Sequence, residues 1–106
     1  MLEELREDLE DAFEEFIDSF FVEGPEQLDQ IESAIANGDA ASLNHAAHSL
    51  KSSSAYVGVV KLAEILYELE KLGKEGSTEG ASPLAEAARA ELEKARPVLR
   101  KFVAGE

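Results

Sequence analysis

The only two histidines of this 106-residue chain lie three apart in "HAAHSLKSSSAYVG", residues 45–58. Lys51 follows the second by three positions, and Ser52, Ser53, Ser54 and Ala55 come directly after it. A neutral imidazole keeps a free nitrogen lone pair near physiological pH, so histidine can serve as a nucleophile, a proton carrier or a metal ligand. A lysine one helical turn away supplies the positive charge that developing phosphoryl oxygens need. As a like charge it also disfavours the imidazolium form. The small residues leave room for another protein to approach the ring, where a helix that only had to be soluble would carry Glu and Lys. Together these features supply what a phosphoryl acceptor at His48 would need, with Lys51 as the cation, although a solvent-facing histidine beside a lysine is also ordinary helix surface.

Other chemistries fit less well. His45 and His48, at i,i+3 spacing, can face one metal ion. Bundle metal sites use Glu-x-x-His pairs, however. The residues three before His45 and His48 are Ser42 and His45, so no metal is expected. There is no cysteine, hence no thiolate site, cysteine nucleophile or disulfide framework. No Ser-His-Asp ordering or carboxylate pair stands out among the 23 acidic residues. No glycine-rich phosphate loop is present to hold a nucleotide. Ser52, Ser53 and Ser54 read as small spacers.

The elements that must position these residues are helices. Apolar residues recur every three or four positions, and no alternating strand pattern appears. A first helix is expected over about residues 2–22, on Leu2, Leu5, Leu9, Phe13, Phe16, Ile17 and Phe20. "EGPEQ" at 23–27 should break it, with Pro25 opening a second helix that buries Leu28, Ile31 and Ile35. "ANGDA" at 36–40 ends that helix, and Asp39 can cap the third. The third buries Leu43, Ala47, Leu50, Ser54 and Val57 and ends at Gly58. Relative to that stripe His48 points about 140° away, towards solvent. Its outward neighbours are Ala41, Asn44, His45, Lys51, Ser52 and Ala55. A fourth helix carries Leu62, Ile65, Leu66, Leu69 and Leu72 and stops at Gly73. A fifth opens with Ser82 as cap and Pro83 in first position. It continues through Leu84, Ala88, Leu92, Ala95, Leu99 and Phe102, kinked at Pro97. Short loops make the last four an all-α antiparallel four-helix bundle, residues 24–105, with residues 1–22 as an additional N-terminal helix within a single domain, 1–106.

Charge narrows the partners. The formal net charge is −13, and residues 1–32 hold 13 acidic residues against Arg6 alone. With no basic footprint, nucleic acid is disfavoured, and an anionic membrane surface would repel the first helix. No signal peptide or membrane-length apolar run is seen, which fits a cytoplasmic protein. Met1 and the full helical pattern suggest a free-standing chain, and no strong self-association face suggests a monomer.

"AHSLKSSSAYVG" followed by "VVKLAEILYELE" resembles the histidine-containing phosphotransfer (HPt) domains of bacterial multistep two-component phosphorelays. Their pattern is a histidine, an apolar residue two on, a lysine, small residues, a glycine about ten positions on, and then a helix with a Leu-Glu pair. Ala47, His48, Leu50, Lys51, Ser53, Ala55, Gly58, Leu62, Ala63, Leu69 and Glu70 stand in those places, and a turn such as "NGD" at 37–39 commonly precedes them. The match covers about residues 24–72. The resemblance implies a four-helix bundle with an accessory helix. It implies that His48 accepts a phosphoryl group from a receiver-domain aspartate and passes it to another receiver. The partners implied are response-regulator receiver domains, of a hybrid sensor kinase and of a response regulator, with Mg²⁺ held by the receiver and no cofactor here. Glycine is usual where this chain has Ser52, whose hydroxyl can donate to a phosphoryl oxygen. The partner surface expected is Asn44, Ser52 and Ala55 around His48 and Lys51, with residues of the second helix. The alternative is a helical interaction module that binds a receiver or another partner without being phosphorylated.

Overall fold

The computed structural model describes the backbone of residues 2–103 and the side chains of residues 13–101. Four helices account for it, and no strand occurs among the described residues: α1 (Leu2–Asn37), α2 (Ala40–Tyr56), α3 (Val60–Lys74) and α4 (Ala81–Val103). Each packs against two neighbours, α1 on α2 and α4, and α3 on α2 and α4, so the helices form a closed ring around one core. That core is built from Ile17, Phe20, Leu28 and Ile31 of α1, Leu43, Ala47 and Leu50 of α2, Leu62, Leu66 and Leu69 of α3, and Ala88 and Leu92 of α4. The expected stripe of α2 is buried in full, Ser54 and Val57 included. The buried Ser54 hydroxyl donates to the Leu50 carbonyl at 2.7 Å, so no polar atom there goes unpaired. Leu2, Leu5, Leu9 and Phe102 lie outside the described side chains.

The expected break at "EGPEQ" does not occur. Residues 2–22 are not a separate accessory helix; they continue through Gly24 and Pro25 into one 36-residue helix. Proline inside a helix removes one hydrogen bond and costs about 3 kcal/mol. Core residues on both sides, Phe20 before it and Leu28 and Ile31 after it, hold the two halves in line by burial in the same cluster. Gly24 is itself buried, and a β-carbon there would meet Leu92 at 3.3 Å, so glycine serves helix packing and not a turn. Pro97 likewise lies within α4, which runs on to Val103. Pro97 and Glu93, whose carbonyl loses its donor, are both exposed to water.

The remaining boundaries follow local chemistry. Asp39 caps α2, its carboxylate accepting from the Ser42 amide at 3.1 Å and from the Ser42 hydroxyl at 2.6 Å. At the other end Gly58, at φ +83°, lets its own amide reach the Ala55 carbonyl and the Val59 amide reach Ser54. This left-handed cap closes α2 where the sequence places it. α3, by contrast, does not stop at Gly73. The same pair of bonds is made around Gly76, whose amide reaches Gly73 and whose successor Ser77 reaches Leu72. Ser82 is not the cap of the last helix either. α4 begins at the fully buried Ala81, so Ser82 and Pro83 lie in its first turn, where proline's missing N–H is not needed.

Candidate functional site

α2 and α3 run in opposite directions: Asn44, His48 and Lys51 rise along α2 as Gly73, Glu70 and Tyr67 descend α3. Gly73 sets how close they come. A β-carbon built on it would lie 2.6 Å from both the Ala40 carbonyl oxygen and the Asn44 amide nitrogen. With backbone so near, Asn44 turns inward and its side-chain amide donates to the Glu70 carbonyl at 2.8 Å.

One turn along, the Glu70 carboxylate joins the two residues singled out in the sequence. One oxygen lies 2.7 Å from His48 Nδ1, and the other accepts from Lys51 Nζ at 2.6 Å. The Lys51 hydrogen bond holds the Glu70 carboxyl below its ordinary range; partial burial opposes this, and the His48 contact adds to the lowering. Glu70 is therefore ionised at neutral pH, and an ionised carboxylate can only accept. Nδ1 must then carry the hydrogen, and in the neutral ring the lone pair sits on Nε2. His48 is 58% exposed, whereas Glu70 and Lys51 are 17% and 27% exposed. A half-sheltered pair thus presents an open imidazole in a defined tautomer. Among the described residues nothing bonds to Nε2.

Small side chains flank this centre as expected. Ser52 and Ala55 of α2 face Val60, Ala63 and Tyr67 of α3 across a shallow, mainly apolar depression of about 430 Å³ that reaches Lys51. Val60 and Tyr67 are exposed there. His45 lies on the other flank, lining a depression of about 490 Å³ with Ser33 and Asn37 of α1 and with Ser42. Among the described residues no group of three or more His, Cys, Asp or Glu is placed to hold a metal ion. No helix there is long and apolar enough to cross a membrane.

The structure thus brings His48, Lys51 and Asn44 together through one residue, Glu70, to which the sequence reading gave no chemical role. Glu70 stands 22 positions from His48, so no helical period links them. Its Leu-Glu pair is part of the family pattern, and that was the available signal. Lys51 and His48 do not meet as a bare like-charge pair, because the Glu70 carboxylate bonds to both. The neighbour supplying Glu70 and Tyr67 is α3.

A protein-family model described as Hpt domain matches residues 15–97. In a search of solved structures, the crystal structure of histidine-containing phosphotransfer protein B (HptB) from Pseudomonas aeruginosa PAO1 superimposes with a TM-score of 0.85. The two are 31% identical, and the alignment covers 99% of this chain and 91% of that one. No curated protein gives a significant match.

Proposed function

This chain belongs to the Hpt domain family, and from that premise we propose that it is a histidine phosphotransfer protein whose His48 Nε2 carries the phosphoryl group between receiver domains. The observation that carries the reading is the Glu70 carboxylate between Nδ1 and Lys51, which leaves Nε2 as the free nucleophile.

In the forward step Nε2 attacks the phosphorus of a receiver's aspartyl phosphate. The N–P bond forms as the P–O bond to aspartate breaks, and the carboxylate leaves with the electron pair. No proton has to move, because Nδ1 keeps its hydrogen. The ring gains positive charge as the lone pair is given up, and Glu70 at 2.7 Å offsets it. Lys51 supplies the cation for the phosphoryl oxygens. In the onward step an aspartate of a second receiver attacks the same phosphorus, and the imidazole leaves as the neutral ring it was.

Ser52 and Ala55 keep the approach to His48 low, and with the apolar depression beside them they form the partner surface. Asn44 acts from beneath by tying α2 to α3. Mg²⁺ belongs to the receiver, and this chain needs no cofactor of its own. We read the whole as a monomeric, cytoplasmic, single-domain antiparallel bundle that serves the receivers of a hybrid sensor kinase and of a response regulator.

The test is phosphotransfer from a phosphorylated receiver, in Mg²⁺, to the wild type and to His48→Gln. An acid-labile, base-stable phosphate on the wild type alone is expected, with the helical content of the variant unchanged because the ring is exposed. Labelling retained in His48→Gln, or no transfer despite intact receiver binding, would overturn the reading in favour of a binding module.

A further inference from the structure

Tyr67 stands on α3 one turn before Glu70 and is 49% exposed. Its face is flanked by two ammonium groups. Lys51 Nζ lies 5.4 Å and Lys71 Nζ 5.0 Å from the ring centroid, both within the range of attraction between a cation and an aromatic face. Lys51 is therefore held from two sides, by the Glu70 carboxylate at 2.6 Å and by the Tyr67 ring. Lys71 has a second anchor in Glu68 at 3.3 Å.

The two holds on Lys51 differ in a way that matters for transfer. A phosphoryl group arriving at Nε2 competes with Glu70 for the ammonium, since both offer anionic oxygens. The ring does not compete, because its attraction is for the cation and survives a change of oxygen partner. A free lysine on a four-carbon stem loses substantial rotamer entropy when fixed. A residue that keeps the stem in place while the ammonium exchanges partners removes part of that cost from the transfer step.

We propose that Tyr67 is a positioning residue for phosphoryl transfer, its ring holding the Lys51 ammonium at the site while the ammonium passes from Glu70 to the phosphoryl oxygens. This rests on the relay reading above, and it is tested apart from it. Transfer from a phosphorylated receiver would be measured for the wild type, Tyr67→Phe and Tyr67→Leu, over a range of receiver concentration, and for both Tyr67 variants in a Lys51→Ala background. Tyr67→Leu is expected to lower the maximal transfer rate about two- to fivefold, in keeping with one exposed cation–ring contact. Tyr67→Phe, which keeps the ring, restores the rate. In the Lys51→Ala background neither change has any further effect. The Lys51 side-chain methylene protons should also show an upfield ring-current shift in the wild type and Tyr67→Phe that is absent in Tyr67→Leu. The proposal is overturned if Tyr67→Leu transfers like the wild type, if its loss persists without Lys51, or if only the half-saturating receiver concentration changes. The last result would make Tyr67 part of the docking surface alone. A wild type that accepts no phosphoryl group would instead overturn the relay reading, and this inference with it.

Discussion

Replacing Glu70 with glutamine keeps the shape of the side chain and removes its charge. Two contacts change at once, the one at 2.7 Å to His48 Nδ1 and the one at 2.6 Å to Lys51 Nζ. The amide can still accept from Nδ1–H through its oxygen, but it can also turn its NH₂ towards the ring and move the hydrogen to Nε2. It can no longer offset the positive charge that the ring gains during transfer. A hydrogen bond to a charged partner is worth about 1.5–3 kcal/mol, which corresponds to a roughly ten- to hundredfold slower single-turnover transfer to His48. Nitrogen NMR of the imidazole provides a second readout. The wild type should show the hydrogen on Nδ1 at neutral pH, and Glu70→Gln should show a mixture or the reverse. Transfer by Glu70→Gln within twofold of the wild type, or a wild-type ring protonated at Nε2, would refute the reasoning. The same residue gives a signed pH effect. Because Lys51 chiefly, and His48 less, hold the Glu70 carboxyl below its ordinary value of 4.5, its contribution to stability is complete above that value. It is lost as pH falls through the lower folded-state value, so Glu70→Gln should narrow the stability difference between pH 7 and strongly acidic solution. An unchanged acid limb of the stability curve would count against the bridge.

Lys51→Ala should slow transfer more than it weakens receiver binding, since in the proposed reading the lysine meets the phosphoryl oxygens and contributes only part of the apolar depression. Paired rate and affinity measurements check this, and an unchanged rate would remove Lys51 from the mechanism. Gly73→Ala forces backbone of α2 and α3 apart by most of an ångström, because ordinary contact begins near 3.4 Å and the new β-carbon starts at 2.6 Å. Overpacking of this kind costs about 1–3 kcal/mol, readable as a lower midpoint in urea with little change in slope. Wild-type stability in that variant would mean that the close approach is not needed. Asp39→Ala removes the cap that holds the Ser42 amide and hydroxyl, and should lower the melting temperature, whereas Asp39→Ser keeps much of the cap. Hydrogen bonding to Ser42 holds the Asp39 carboxyl below its ordinary range. Its contribution is therefore present at neutral pH and lost as pH falls through that lowered value. Equal melting of Asp39→Ala and wild type at neutral pH would refute the cap.

The local features of α2 were legible in the sequence because each is decided within a turn or two of chain. Asp39 and Gly58 bound the helix through bonds to near neighbours. The buried stripe from Leu43 to Val57 fixes which face His48 presents, and the spacing to Lys51 places the cation one turn away. Helix ends elsewhere were read less well for a common reason. Glycine and proline at 24–25, and glycine at 73, carry the same letters as breaks. Whether they end a helix depends on what packs against it. At Gly24 the neighbour is Leu92, at Gly73 it is the backbone of Ala40 and Asn44, and in both cases burial against a distant segment outweighs local propensity. The site divides along the same line. His48 and Lys51 share one helix, and a helical period sufficed to join them. Glu70 and Tyr67 reach them from another helix, and only the close packing of α2 on α3 selects which acid and which ring arrive there. Sequence alone therefore placed His48 on an exposed face with Lys51 one turn away. Tertiary structure decided which nitrogen is free to react, because that depends on a carboxylate 22 residues away, at hydrogen-bonding distance from Nδ1.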